Sequence, residues 1–510
     1  MRLKDFLVKH KDKIKNFISC CLFLFILFGL YTGMTNLFRN VNGDRQRITG
    51  LQSEENIDVV YVGASSTFTY FQPLKAWHDC GFTSYNYATT SLQADGMEYY
   101  IREAQKIASP EVFVVEMRAF TEYDPVVYEP ALRNGADAMD WYSQNRWQYI
   151  YQYLKNHPDA DDTDDKSLYF DIAKYHTNRT NLANPVSWRY CDNNEKCKFK
   201  GFEFINAYDC LQNSQDYMTD ERLEISQVNL KILNALIDYC QKENLQVLFV
   251  VAPKVVTADE MGQYNTIKDI VESRGYNFLN ANEYYDEMQF DFSKDMYNER
   301  HVNCFGAEKY TQFLEDYIVS HYDLPDNRGN GEYSAWDEEY ILFTEDEENT
   351  KNSIIARQNN YHYSIENEKV ITEITDLEEW VAKIKEPRYY VYMAQSGVSF
   401  TELSVHDKFF INLLGLGGMK LECSAYNNGK IELEKTSKPY TFSHTILRDY
   451  GAPIVCQIDN TEGIASIKIN DVELSKQSDG INAVVVDWVL GRTIDSVTIY
   501  DNGEGLKIRR

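Results

Sequence analysis

Two separated stretches of the chain carry the side chains that acyl transfer requires. The first, Val59-Val60-Tyr61-Val62-Gly63-Ala64-Ser65-Ser66-Thr67, places serines directly after an apolar run. The second, Asn298-Glu299-Arg300-His301-Val302-Asn303-Cys304-Phe305-Gly306-Ala307, places a histidine ahead of a helical pattern over residues 308–318. A serine hydroxyl becomes a nucleophile when a neighbouring imidazole accepts its proton. Serine just past the carboxyl end of the first strand of an α/β sheet lies where such folds place ligands. Gly63 permits the tight turn there, and the amides opening the next helix can stabilise an oxyanion. The same residue types have plainer uses: a Ser/Thr cluster caps helices, and a lone histidine caps or decorates a surface. Arg118, after a second apolar run, can bind an acyl carboxylate or sugar phosphate, or form a surface ion pair.

The periodicity supplies the elements that must position these groups. Residues 57–62 read as a buried strand, 99–107 as a helix, 112–116 as a strand, 228–237 as a helix and 247–251 as a strand. Strands alternating with helices predict a parallel α/β sheet covered on both faces. Residues from about 130 to 225, rich in Trp, Tyr and Asp, break this rhythm and are expected to form an inserted lid or cap. Residues 323–334, with Leu324-Pro325-Asp326-Asn327-Arg328-Gly329-Asn330-Gly331, have linker chemistry. Beyond them, 335–510 shows short strand-like runs, turns at Asn427-Asn428-Gly429 and Asp479-Gly480, and one helical segment near 376–384. That pattern predicts a smaller β-rich domain.

At 510 residues the chain is long enough for two or three domains, and 51 Lys+Arg against 78 Asp+Glu give a formal charge of -27. So acidic a surface repels phosphate backbones, which excludes nucleic acid as a general partner; screening leaves anion binding to any local basic pocket. The N-terminus reads differently. Residues 1–16 form a basic tail, and residues 17–38 run almost wholly apolar, long enough at about 1.5 Å per residue to cross a hydrocarbon core about 30 Å thick. An uncleaved single-pass anchor is expected, since no A-x-A-like cleavage site follows; a cleaved signal peptide is the alternative. The basic flank then stays cytoplasmic, with residues from about 40 outside the cell. Cys191 and Cys197, in CDNNEKC, are spaced to close a small disulfide; no CxxC or His-rich partner accompanies them, and no metal or cofactor is expected.

Taken together, the serine and histidine blocks resemble the SGNH/GDSL hydrolase superfamily, in its membrane-anchored branch of cell-surface polysaccharide O-acylation and lipoteichoic-acid D-alanylation proteins. There the first strand ends in Gly-(Ser/Asp)-Ser and the last block reads Asp-x-x-His-(Leu/Val)-Asn-x-x-Gly-(Ala/Ser). Gly63-Ala64-Ser65 is similar to the first, and His301 through Ala307 to the second; Tyr85-Asn86, Pro110 and Lys174-Tyr175-His176 also look alike. The likeness covers about residues 55–322. It implies Ser65, rather than Ser66, as nucleophile and His301 as base. The family's acid three residues before the histidine is Asn298 here, an amide able to orient imidazole without supplying its charge. Asp295 and Glu299 are the nearby carboxylates. The family's oxyanion glycine has no counterpart in Ala88-Thr89-Thr90-Ser91, so oxyanion contact is expected from the Ser65 amide, with Thr90 and Arg118 as further candidates.

Residues 465–474, 480–487 and 491–501, with the segment from Leu377 to Leu416, resemble the interleukin-like epithelial–mesenchymal-transition inducer domain (PANDER-like fold), which implies a glycan- or partner-binding module. The expected architecture is thus α/β: one transmembrane helix, an SGNH-type flavodoxin-like parallel-sheet domain with an insertion, and a smaller β-rich α+β sandwich. Two functions follow from these resemblances. One is an extracytoplasmic acyl-ester hydrolase or O-acyltransferase acting on a cell-surface glycan or wall polymer, partnered by a membrane-bound O-acyltransferase. The other is a catalytically degenerate glycan-binding or assembly factor with a C-terminal interaction module.

Overall fold

The first serine block leaves a strand at the centre of a parallel sheet. In the computed structural model, which describes residues 10–39, 43–159, 165–183, 197–213, 216–396, 423–427, 430–435, 441–448, 452–459 and 464–510, five strands alternate with helices. They are β1 (Val59–Gly63), β2 (Ser84–Ala88), β3 (Val112–Glu116), β4 (Val247–Val251) and β5 (Asn277–Asn280). All pair in parallel in the order β2-β1-β3-β4-β5. Every residue of β1, β2, β3 and β4 is buried, as runs such as VVYVG and VLFVV require when helices cover both faces. In this doubly wound order the strand order reverses between β1 and β3, the place at whose carboxyl end such sheets bind ligands.

The helices follow their apolar spacing. The helix expected over 99–107 runs Ala94–Ala104, because Ala94, Met97, Ile101 and Ala104 extend the buried face by a turn toward the N-terminus. Gln227–Lys242 is capped by Ser226, whose hydroxyl accepts the Asn229 amide at 3.0 Å. After β5 comes a small hairpin, β6 (Met296–Asn298) with β7 (His301–Val302), and then the helix Cys304–His321.

The insertion between β3 and β4 is largely helical, including Glu129–Ala138, Gln144–Asn156 and Asp171–Tyr175. It packs on the helix Ala94–Ala104 and also meets the end of the apolar helix Lys11–Phe38, which is long and apolar enough to cross a membrane. The far end of that helix is buried: Arg39 donates from Nε to Asp171 at 2.5 Å and from Nη1 to the Met139 carbonyl at 2.7 Å, and Arg146 donates to Asp171 at 2.6 Å. Buried charges are tolerable only with such mutual pairing.

The expected boundary at 323–334 is not where the molecule divides. Asn327 donates its amide to Gly81, Arg328 donates to the carbonyls of His78 and Asp79, and a 40-residue helix, Ser334–Glu373, follows. The two compact units part at Ile354/Ile355, inside that helix: Trp336 and Phe343 complete the first core, while Ile371 belongs to the second. Polar linker composition was outweighed by these apolar side chains, which need a core to enter.

The second unit is antiparallel. Six strands, β8 (Tyr389–Ser396), β9 (Cys423–Asn427), β10 (Lys430–Lys435), β15 (Gly480–Asp487), β16 (Arg492–Asp501) and β17 (Leu506–Arg509), pair in the order β10-β9-β8-β15-β16-β17. A second sheet holds β11 (Thr441–Ile446), β12 (Ile454–Asp459), β13 (Ser466–Ile469) and β14 (Val472–Glu473). The central strand β15 is buried on both faces: Ile481, Ala483 and Val485 meet the helix Leu377–Ile384, while Val484 and Val486 meet the second sheet. The turn expected at residues 427–429 falls mostly outside the described residues, as do Cys191, residues 1–9 of the basic tail and the segment near Gly415-Leu416.

Candidate active site

Strand β1 stops at Gly63 because the backbone must pass close to its neighbours. A Cβ at this position would stand 2.7 Å from the Cβ of Glu116 and would overlap the Thr67 hydroxyl. Ala64 is extended, and Ser65–Phe68 then forms a single helical turn. The Ser65 carbonyl accepts from the Thr69 amide at 3.1 Å and the Thr69 hydroxyl at 2.8 Å, so the backbone under Ser65 is held from below. The Ser65 amide opens the turn and lies among the N–H groups that have no intrahelical acceptor.

The two adjacent serines have different surroundings. Ser66 is buried and donates to Glu116 Oε2 at 2.8 Å. Glu116 also accepts the amides of Arg118 and Ala252 at 3.3 Å, and burial pushes its carboxyl above the ordinary range. Ser66 therefore ties the serine turn to the ends of β3 and β4. Ser65, in contrast, places Oγ 2.7 Å from Nε2 of His301, across 236 positions of sequence.

The histidine arrives on the β6–β7 hairpin, in which Asn298 and His301 pair across a Glu299-Arg300 turn. Asn298 Oδ1 accepts the Arg300 amide at 2.8 Å and lies 3.1 Å from Nδ1 of His301. A backbone N–H can only donate, so the atom of Asn298 facing both groups is its oxygen. Nδ1 must then carry the imidazole proton, which leaves Nε2 with a free lone pair toward the Ser65 hydroxyl. The hydrogen bonds thus run in one direction, from Ser65 to His301 and from His301 to Asn298.

The hairpin is clamped from three sides. The Arg300 carbonyl accepts from the Tyr70 hydroxyl and from Arg118 Nη2, both at 2.7 Å; the Glu299 carbonyl accepts the Val255 amide at 2.9 Å. Asn303 caps the following helix through the Phe305 amide at 2.9 Å and donates back to the Lys294 carbonyl at 2.7 Å. Gly306 allows that helix to approach the hairpin, since a Cβ there would lie 2.5 Å from the Asp295 carbonyl oxygen.

Electrostatics set the strength of the base. Burial, reinforced by the Arg118 and Arg300 charges, pulls the His301 imidazole down to about 3. It is neutral at physiological pH and ready to accept a proton, but among the described residues no carboxylate is hydrogen-bonded to the ring to stabilise the resulting imidazolium. Asp295 does not serve, because it binds Lys309 at 2.7 Å and the Asp291 amide at 2.6 Å. Glu299 is exposed, with no hydrogen bond to the ring.

The remaining candidates take other positions. Thr90 is committed elsewhere: its amide and hydroxyl donate to Asp44 Oδ1 at 2.8 and 3.0 Å, so it offers no oxyanion donor in this conformation. Arg118 is buried against Tyr70 and the Arg300 carbonyl, where it braces the hairpin instead of presenting a free guanidinium or a surface ion pair. His176 is exposed and turns its Nδ1 to the Ala173 carbonyl at 2.9 Å.

Sequence reasoning missed Asp44 and Arg47, on the short helix Gly43–Gly50. Arg47 pairs with Asp44, donates to the Ala88 carbonyl at 3.2 Å and stacks 3.5 Å over the Phe68 ring. Charged residues just past an apolar span read as an exposed stem; their burial depends on partners at positions 68, 88 and 90. Among the described residues, no group of three or more His, Cys, Asp or Glu is placed to hold a metal ion. In the second unit, Tyr363, Arg388, Tyr390 and Trp488 line an open cleft, with the Arg388 guanidinium 4.2 Å over the Tyr363 ring.

The fold and site define an α/β-sheet protein with a serine, a histidine and an amide aligned at the carboxyl end of its first strand. No protein-family model matches the chain, and no curated protein matches its sequence.

Proposed function

We propose that this chain is a membrane-anchored, extracytoplasmic serine enzyme of SGNH type that cleaves or transfers acyl esters on a cell-surface glycan or wall polymer. The carrying observation is the directed relay from Ser65 through His301 to Asn298, at 2.7 and 3.1 Å. Ser65 Oγ attacks the acyl carbonyl carbon as its proton passes to His301 Nε2, and the carbonyl π pair moves to oxygen. The oxyanion faces the Ser65 amide. Collapse breaks the ester C–O bond, and the departing alkoxide takes the proton from Nε2. The acyl-serine then yields its acyl group to water or to a glycan hydroxyl, whose proton passes to Nε2 and back to Ser65.

In this reading the apolar helix Lys11–Phe38 spans the membrane with its N-terminus in the cytoplasm. A membrane-bound O-acyltransferase supplies acyl groups, and the second unit, by its likeness to the inducer-like domain, binds glycan or a protein partner.

A second reading, a degenerate glycan-binding or assembly factor, is favoured by two observations. The imidazole is held down to about 3 beside an amide, and the Thr90 amide is occupied by Asp44. Labelling of the full chain with a fluorophosphonate decides between the two. Covalent labelling that vanishes in Ser65→Ala and drops sharply in His301→Ala supports the enzyme. A folded protein that takes no label belongs to the binding class.

A further inference from the structure

We propose that the helical insertion makes a second membrane contact: an aromatic rim containing Tyr142, Trp147, Phe170 and Leu182 beds into the headgroup region of the bilayer that the N-terminal helix crosses. The inference rests on the reading of that helix as a membrane span.

The first argument is one of length. The apolar run covers residues 17–38, yet residues 35–39 are buried by the insertion and 31–33 are partly covered. Only residues 17–30 are exposed around the whole helix, a length of about 21 Å at about 1.5 Å per residue. A hydrocarbon core is about 30 Å thick, and tilting the helix would widen the shortfall. The bilayer must therefore reach the level at which the insertion grips the helix.

What it meets there is chemically suited to it. Phe28 packs against Trp141 and Tyr142 at ring-centroid distances of 5.5 and 5.4 Å, so the helix's exposed apolar surface continues without a break onto the insertion. Trp147 extends it, 5.9 Å from Phe170. Leu182 belongs to a segment whose Asn178 and Asn181 side chains donate to the carbonyls of Phe38 and Leu37, at the end of the helix, at 2.9 and 3.0 Å. These side chains remain open to solvent, Tyr142 at 50%, Trp147 at 37%, Phe170 at 46% and Leu182 at 44% exposure. Trp and Tyr are the residues that favour a membrane–water interface.

Both indoles of the rim already have acceptors. Trp141 Nε1 donates to the Thr32 hydroxyl at 3.0 Å and Trp147 Nε1 to the Trp141 carbonyl at 2.7 Å, so neither indole brings an unpaired donor toward lipid. Arg39, Arg146 and Asp171 lie just behind, paired and buried. This grip fixes the helix to the sheet domain, so the serine site rides at a set height over the membrane. That favours acyl acceptors near the bilayer over long polymer tips.

The test uses the full chain in vesicles of phosphatidylcholine brominated high on its acyl chains. The emission lost in Trp147→Phe, obtained as the difference from wild type, is expected to be quenched by about half, since an interfacial ring lies within about 10 Å of the headgroup–acyl boundary. Trp336→Phe, at a buried site, should remove emission that bromine does not touch. Phe170→Trp should add quenchable emission, which keeps the test readable if Trp147→Phe fails to fold. Flotation with the same vesicles reports the span separately. A chain that floats while its Trp147 emission escapes bromine overturns the rim and leaves the span intact. A chain that does not float overturns the span reading itself. Cross-linking of the rim to a second copy, without quenching, would assign it to a protein interface and overturn the lipid contact.

Discussion

Arg118 Nη2 donates to the carbonyl oxygen of Arg300 at 2.7 Å, linking the end of the third sheet strand to the residue just before His301. The same guanidinium donates from Nη1 to Tyr70 at 3.2 Å, and Tyr70 donates to that same carbonyl. One buried cation thus sets the height of the imidazole over Ser65 and, by its charge, weakens that imidazole as a base.

Arg118→Met should show both effects. Losing its charge-assisted hydrogen bonds to the Arg300 carbonyl and to Tyr70 is expected to cost about 1–3 kcal/mol of stability, read by denaturant unfolding. Displacing the hairpin should slow fluorophosphonate labelling about 100-fold at neutral pH. The acid limb of the labelling profile should meanwhile rise, because a positive charge beside His301 is gone. Labelling unchanged in rate and pH profile would remove Arg118 from any positioning role.

The pH dependence has a definite sign. An ordinary histidine loses its basic form near 6.5, whereas burial with the Arg118 and Arg300 charges holds His301 down to about 3. Labelling of the wild type should therefore stay level as pH falls from 8 to 5 and decline only near the imidazole's own lowered value. Asn298→Asp places a carboxylate 3.1 Å from Nδ1, stabilises imidazolium and raises that value. The variant should label at least about tenfold faster at pH 7, and its acid limb should move toward neutrality. The linkage runs the same way for folding. The unfolded histidine binds its proton at a higher pH than the folded one, so this residue subtracts stability progressively as pH drops below about 6.5, and less so in Asn298→Asp.

The adjacent serines should separate by assay. Ser66→Ala removes the hydroxyl donor to Glu116 Oε2 and is expected to destabilise by about 1–3 kcal/mol while the folded protein still takes the probe. Ser65→Ala should do the reverse, retaining stability and losing the label. Mapping the labelled peptide by mass spectrometry checks the assignment directly; a label on Ser66 would refute it.

Much of the sheet was legible in the chain. The runs at 59–63, 112–116 and 247–251 are continuous and β-branched, and only a strand buried on both faces needs that composition. The apolar helix was equally plain. The helix Ser334–Glu373 was not: residues from 335 were expected to belong to a β-rich domain, and the scattered apolar side chains that hold this helix gain meaning only against a core.

The residue types at 65, 298 and 301 were set by sequence, and so was the replacement of a carboxylate by an amide. Their meeting was decided by tertiary structure, because a separation of 236 positions closes only when the sheet order brings the last hairpin beside the first strand. The same holds for what surrounds them. That Thr90 is spent on Asp44, that Arg118 braces a carbonyl, and that the imidazole is so weak a base all depend on burial and on neighbours remote in the chain. Local composition reports which groups exist, whereas desolvation and hydrogen-bond partners, which govern what those groups can do, arise only when distant segments pack.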